Sequence, residues 1–291
     1  MRQSLVSRML PGLLLWFAAA AAGTARAADC DRECLRGFVT QYLSAMVAHN
    51  PGSLPVAANL RFTEDGVTLK LGEGLWKGAS GLRQYRQDIL DVRQGVAASQ
   101  VIVEEAGSPA MLVLRLKVAD KKISEIETQV TRTRAEGAIF NIDAIKTPTK
   151  GMNVVPEKSQ LAPRDEAIRI AQFYPAGLKI GSFVSVDAPF AQDAYRIENG
   201  AVSAGPGCSR AGCENIKTQN IMKHPAITTR AAGVDEEMGI VLLRMNFGDT
   251  GSYGPGNALI VWEAFKIYGG QIHAVEAFMR VMPATAGSGW D

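Results

Sequence analysis

The sequence predicts an α+β fold made of two similar helix-plus-antiparallel-sheet units in tandem. Three observations point there. A helical apolar period begins near residue 35 and again near residue 165, and each is followed by short alternating strands. The stretch KTPTKGMNVVPEKSQLAP (146–163) lacks periodicity and carries three prolines, which reads as a linker between the units. Finally, VLRLKVADKKISEIETQ (113–129) can be laid without a gap on VWEAFKIYGGQIHAVEAF (261–278) at an offset of 149 residues, so that Lys117 meets Lys266, Ile123 meets Ile272 and Glu127 meets Glu276.

The chain opens with a segment that is expected to leave. Arg2 and Arg8 precede the apolar run PGLLLWFAAAAAG (11–23), which is short for a membrane span, and Ala25-Arg26-Ala27 fits a small-x-small cleavage site. Residues 1–27 therefore read as a signal peptide, with an N-terminal anchor as the rival. A lipoprotein is disfavoured because Asp29, not a small residue, stands before Cys30. A periplasmic or secreted location follows. Losing Arg2, Arg8 and Arg26 leaves 28 basic against 29 acidic residues. That balance provides no basic face for nucleic acid, and no later run is apolar for long enough to span a bilayer. Four cysteines in an exported chain suggest disulfides. Cys208 and Cys213 flank a short loop, and Cys30 and Cys34 lie four apart at a helix start; the pairing is open, and a zinc site is a weaker rival with no histidine at ligand spacing.

In the first unit (28–145), Leu35, Phe38, Val39, Tyr42 and Met46 fall on one helix face, with Asp31 as N-cap and Asn50-Pro51-Gly52 as the stop. RFTEDGVTLKLGEGLW follows as short strands around an Asp65-Gly66 turn. SGLRQYRQDILDV then reads as a second helix capped by Ser80. Strands are expected at 96–105, 110–119 and 122–132. Ile123, Glu125, Glu127 and Gln129 share a mostly polar face that reads as exposed. After the linker (146–162) the order restarts in the second unit (163–291). PRDEAIRIAQFY is a helix with Pro163 in its first turn and Pro175 kinking or ending it. FAQDAYRIENGAV mirrors NLRFTEDGVTL, the Cys208–Cys213 loop follows, and strands are expected at 227–237, 239–247, 257–268 and 271–282. Strands such as ALIVWEAFKI are apolar on both faces, so the two sheets are expected to pack together as an internal pseudo-dimer.

A long N-terminal helix, an antiparallel sheet and a lysine-bearing strand turning tightly into I-x-x-I/V-E resemble the nuclear transport factor 2-like superfamily, which includes SnoaL-like enzymes. More narrowly, CDRECLRGFVTQYLSAMVAHN, RFTEDG, GEGLW, RIENG, VDEEMGIVLL, FKIYGGQIHAVEA and the terminal SGW look like an uncharacterised family of secreted fungal and bacterial proteins. The resemblance implies two cone-shaped, cystatin-like rolls in tandem, each with a curved sheet and a pocket at its open end. It implies little about activity, because such cones host dehydratases, isomerases, lyases and inert binders. Cofactor-free lyases acting on lignin-derived diaryl compounds are among the superfamily's bacterial members.

Common catalytic motifs are missing: there is no G-x-S-x-G, no phosphate-binding G-x-x-x-x-G-K-[ST] and no H-E-x-x-H. His49, His224 and His273 lie far apart, so no metal and no cofactor is expected, and carboxylates, tyrosines and lysines must do any chemistry. Strand parity selects Glu263, interrupting Leu259, Val261, Phe265 and Ile267, and Glu276, interrupting Ile272, Ala274 and Phe278. An acid desolvated in this way suits proton transfer near neutral pH. Glu236 of the Asp235-Glu236-Glu237 run, Tyr195, Arg196, Lys266 and His273 complete the catalytic candidates. Trp262, Glu198, Asp235 and Phe278 are expected to contact the substrate. Arg61, Glu64, Tyr85, Asp88 and Glu127 form the analogous set in the first unit, which reads mainly as scaffold. The leading function is cofactor-independent lyase, dehydratase or isomerase chemistry on a small hydrophobic, oxygenated molecule, with aromatic and lignin-derived compounds foremost. The alternative is a non-catalytic periplasmic small-molecule-binding or interaction protein; no membrane contact is expected after signal cleavage, and a homodimer stays open.

Overall fold

The computed structural model describes residues 30–147, 149–286 and Trp290, so the expected signal segment and its cleavage point lie outside the described residues. Helix α1 (Arg32–Val47) is capped by Asp31, whose side chain accepts from the Cys34 N–H. It covers one face of a six-stranded sheet formed by β1 (Val56–Glu64), β2 (Val67–Thr68), β3 (Ala79–Asp91), β4 (Val96–Glu105), β5 (Ser108–Ala119) and β6 (Lys122–Thr131). The strand order is β2-β1-β6-β5-β4-β3. Helix α2 (Arg164–Ile180) and strands β7 (Phe190–Glu198), β8 (Ala201–Ala204), β9 (Thr228–Asp235), β10 (Ile240–Asn246), β11 (Asn257–Tyr268) and β12 (Gln271–Pro283) repeat the plan, in the order β8-β7-β12-β11-β10-β9. Among the described residues no helix is long and apolar enough to cross a membrane.

The repetition extends to individual hydrogen bonds. Strand β11 begins and ends 149 residues after β5. Phe62 pairs with Ile126 and Arg196 with Val275, each through a parallel strand with the same register shift. Asp65 accepts from Val130 N–H as Asn199 accepts from Met279 N–H, both at 2.9 Å. Asp65-Gly66 and Asn199-Gly200 both adopt the positive φ angles of a tight hairpin.

Two expectations need correction and a third is narrowed. The sheets are mixed, not antiparallel, because β1 runs parallel to β6 and β7 to β12; alternation along a strand does not reveal which edge an earlier hairpin joins. The segment expected as a second helix is β3. Its Leu, Arg and Gln favour a helix, but Tyr85, Gln87 and Ile89 are buried at period two, and pairing along β4 overrides local preference. Of the two outcomes expected at Pro175, a kink or an end, the end is excluded: helix α2 continues to Ile180, where Gly181 caps it in the left-handed conformation; Tyr174 and Leu178 on either side of the proline are both buried.

Each sheet carries its helix on one face and the other sheet on its second face. Ile89, Ile102 and Val113 meet Leu242, Trp262 and Phe278 in the shared layer. The polar face of β6 expected at the surface lies here instead: Glu127 and Gln129 are buried, with Glu127 bound by Arg230 at 2.7 Å. A reciprocal clasp closes the layer. Arg32 of α1 holds Asp235 of the second sheet at 2.6 and 2.8 Å, and Arg164 of α2 holds Asp91 of the first at 2.9 and 2.6 Å. Asp235 also accepts from the N–H groups of Leu90 and Met238, as Asp91 does from those of Val234 and Gln94. The four cysteines form disulfides, and the pairing left open by the sequence is Cys30–Cys34 and Cys208–Cys213. The linker is not free: Thr149 N–H donates to Glu276 and Gly269 N–H to Gln160, tying it to the second unit.

Asp91 is fully buried with a nearly buried arginine, so Asp91→Ala strands a charge and two backbone donors. Urea denaturation is expected to show a loss of about 3–5 kcal/mol. Arg169→Ala, which breaks an exposed pair with Glu166, should change stability by less than about 1 kcal/mol.

Candidate functional site

Strand parity on β11 sends Leu259, Val261, Glu263, Phe265 and Ile267 toward α2, as expected. A bulge where Lys266 and Ile267 meet Ala274 and Ile272 shifts the phase of β12. Ile272, Val275, Ala277 and Met279 therefore face α2, whereas Ala274, Glu276 and Phe278 face the other sheet. The two carboxylates picked out by alternation thus lie on opposite faces of one sheet.

On the α2 side lies a cavity of about 240 Å³. Its polar end is formed by Tyr174 of α2, Arg196 and Glu198 of β7 and Glu263 of β11; His224 and Tyr253 belong to the loops that close it. The remaining wall is apolar, with Leu178, Phe247, Leu259 and Val261 among its residues. Arg196 is held from three sides: its Nε donates to Ser203 Oγ at 2.8 Å, Nη1 to the Tyr174 hydroxyl at 3.0 Å and Nη2 to Gln219 Oε1 at 3.3 Å. Glu198 lies 3.5 Å from it. Glu263 is 1% exposed, and its Oε1 has no hydrogen-bond partner. Burial, reinforced by Glu198 and only partly opposed by Arg196 and Tyr174, pushes its pKa up to about 8. His224 stacks edge-on against Phe247 with a buried Nδ1 that also lacks a partner, and burial lowers its pKa. Two residues of the cavity wall thus each carry a buried polar atom without a hydrogen-bond partner.

Among the described residues of the first unit, side chains fill the equivalent space. At the register of Glu263 it carries Leu114, and at that of Arg196 it carries Phe62. The tyrosine is retained as Tyr42, but its hydroxyl accepts from Trp76 at 2.9 Å, and the Trp76 ring fills the space under α1. Glu64, the counterpart of Glu198, caps the Leu75 N–H, and burial raises its pKa to about 7. Two positions, Phe62/Arg196 and Leu114/Glu263, accompany the change from packed core to polar-lined cavity.

The other expected site residues lie elsewhere. Glu276 is in the layer between sheets, bonded to Tyr85 at 3.0 Å and to Thr149 of the linker, which also meets the Tyr195 hydroxyl. Trp262 and Phe278 pack in the same layer. Asp235 forms the clasp, and Glu236 pairs with Arg93 at 3.3 Å. Lys266 is fully buried, and its ammonium donates to main-chain carbonyls; burial lowers its pKa to about 8. His273 stacks on Tyr268, with ring centroids 3.5 Å apart. Of the candidates, Glu263, Arg196 and Glu198 are brought together. Tyr174 was legible on the helix face of Ala167, Ile170 and Ala171; nothing in the sequence marked His224 or Tyr253. Among the described residues no group of three His, Cys, Asp or Glu side chains is placed to hold a metal.

A family profile described as "Domain of unknown function (DUF8021)" matches residues 160–279, spanning α2 and most of the second sheet. No curated protein matches the chain. Among solved structures, a de novo designed protein with a curved β-sheet is similar over 35% of this chain and 88% of its own, with 19% identity and a TM-score of 0.29. An NTF2-like protein of unknown function from Cytophaga hutchinsonii is similar over 34% of this chain and 90% of its own, with 10% identity and a TM-score of 0.27. Likeness at this level carries no inference, and the architecture rests on the strand order and registers above.

The Glu263 carboxyl has a folded pKa near 8, above its usual 4.5. Its proton is held more tightly in the folded chain, so its contribution is fully present below about pH 4.5 and is lost as pH rises to 8. Glu263→Gln removes that slope. Relative to the parent, the variant should gain roughly 3–5 kcal/mol between pH 5 and pH 8, read by urea unfolding at both values.

Proposed function

We propose that the second unit binds a small oxygenated, hydrophobic molecule under α2 and that Glu263 moves a proton on it, in cofactor-independent lyase, dehydratase or isomerase chemistry. One observation carries this reading: two charged side chains point into a cavity at the positions where the duplicated unit has Phe62 and Leu114. Burying charge is costly unless it is compensated, and the sibling unit forms the same framework with Phe62 and Leu114 at these registers. A carboxyl held near pH 8 is mostly protonated at neutral pH yet able to give or take a proton. Arg196 and Tyr174, fixed to each other, are placed to stabilise negative charge developing on a substrate oxygen. The apolar remainder of the wall favours an aromatic or other compact hydrophobic body.

The finer assignment belongs to the same proposal: two SnoaL-like units in tandem, in an exported protein. It is supported by the duplicated topology and by two disulfides, which persist in oxidising compartments. A binding protein without turnover has one observation in its favour, since Arg196 already commits three donors to protein acceptors.

Incubating the protein with a pool of oxygenated aromatic compounds and following products by mass spectrometry tests the proposal. Turnover is expected without added cofactor. Glu263→Gln should lower it by at least about 100-fold, a range typical of lost acid–base catalysis, while a hit compound still raises the melting temperature. Retention of compounds unchanged, with equal binding by both proteins, would establish the binding reading instead.

A further inference from the structure

The duplication builds a second groove that the two units use differently. In the second unit, Lys266 donates to the carbonyl of Met238 at 2.5 Å and to the carbonyls of Met152 and Val154. Those last two residues belong to the linker. A few residues on, Gly269 N–H donates to Gln160 O at 2.8 Å. Leu161 comes so close to Gly239 that a Cβ there would lie 3.1 Å from its Cδ2. A buried lysine, a tight turn and a glycine thus hold the linker main chain, which is extended at Val154 between the short helical turns Lys150–Asn153 and Lys158–Gln160.

Each holding group has a counterpart in the first unit. Lys117 stands at the register of Lys266 and donates to Gln94 O, the counterpart of Met238 O. Gly95 matches Gly239, with φ values of 59° and 60° and the same close approach to a strand carbonyl. The Asp120-Lys121 turn matches Gly269-Gly270. Yet these residues line an open groove of about 200 Å³, with the disulfide-bonded Cys30 at its edge. The charge also differs. Lys117 and Lys121 face this groove together with Arg93, which is shared with Glu236, and Asp120 is the one acid among its described lining residues, whereas Glu237 occupies the register of Arg93 in the second unit.

We propose that the Lys117 groove binds an extended, acidic peptide segment of a partner protein, main chain against Lys117 and an apolar side chain over Gly95. The linker at Lys266 is the template for the main-chain contacts. The local positive charge selects an acidic segment over the linker's own composition. This site is separate from the cavity under α2, and its occupancy is independent of Glu263 chemistry.

The test uses fluorescein-labelled peptides titrated with the purified protein by anisotropy. One has the linker sequence GMNVVPEKSQL (151–161), and the other replaces its lysine with glutamate. Saturable binding is expected, tighter for the acidic peptide and weakening as salt rises. Lys117→Met should weaken it about tenfold, the value of one charge-assisted hydrogen bond. Glu263→Gln should leave it unchanged. The absence of saturable binding by either peptide would overturn the proposal, as would binding indifferent to Lys117→Met. Concentration-dependent self-association abolished by Lys117→Met would also overturn it, by assigning the groove to a second copy of the chain.

Discussion

Each sheet has two faces that must be kept from water, and one helix covers only one of them. The second face of each sheet is therefore buried against the other sheet, which is why neither half is a free-standing unit with a helix and an exposed back. Strands such as β11, apolar on both faces, follow from this constraint. So does the double Arg–Asp clasp where the ends of β3 and β9 meet, Asp235 accepting from Leu90 N–H and Asp91 from Val234 N–H. Its acids are buried, but each has a bidentate arginine and two backbone donors, the condition under which buried charge is tolerated. The clasp specifies how the sheets are laid on each other, since a shifted layer would strand both pairs at once.

With the back faces committed to each other, the two spaces under the helices are free to diverge. One is filled by Trp76 and Tyr42. The other keeps the tyrosine but surrounds it with Arg196, Glu198 and Glu263. The tyrosine hydroxyl changes partner, from an indole N–H to a guanidinium, and the carboxyl opposite is left desolvated. The first unit thus serves as an internal reference for what this framework does when it only has to fold. Every polar substitution in the second unit can be read against it. The same comparison applies at the groove, where one unit holds its linker and the other presents the same donor to solvent.

Much of the framework was legible in the sequence. The offset that aligned Lys117 with Lys266 coincides with the bounds of β5 and β11, and parity placed Glu263 correctly because β11 is regular over that stretch. Parity failed for Glu276 for a physical reason: a single bulge reverses the faces of β12, and a bulge leaves no mark in hydrophobic alternation. The β3 segment was misread as a helix because Leu, Arg and Gln are good helix formers and the pairing that overrides them is non-local. Asp235 read as a substrate contact and Glu127 as part of an exposed face, since the arginines that bind them, Arg32 and Arg230, stand more than 100 residues away in sequence. His224 and Tyr253 lie in irregular loops, where spacing has no period to follow.

The most direct test is the titration of the Glu263 side chain itself, followed by the ¹³C shift of its labelled carboxyl and assigned by its disappearance in Glu263→Gln. A midpoint near pH 8 is predicted, as for a desolvated carboxyl beside a charge network that only partly favours ionisation. A midpoint in the ordinary carboxylate range, about 4, would mean that Glu263 is solvated or fully paired with Arg196. It would then be an ion-pair partner in the wall, and the cavity would lose its proton-transfer group.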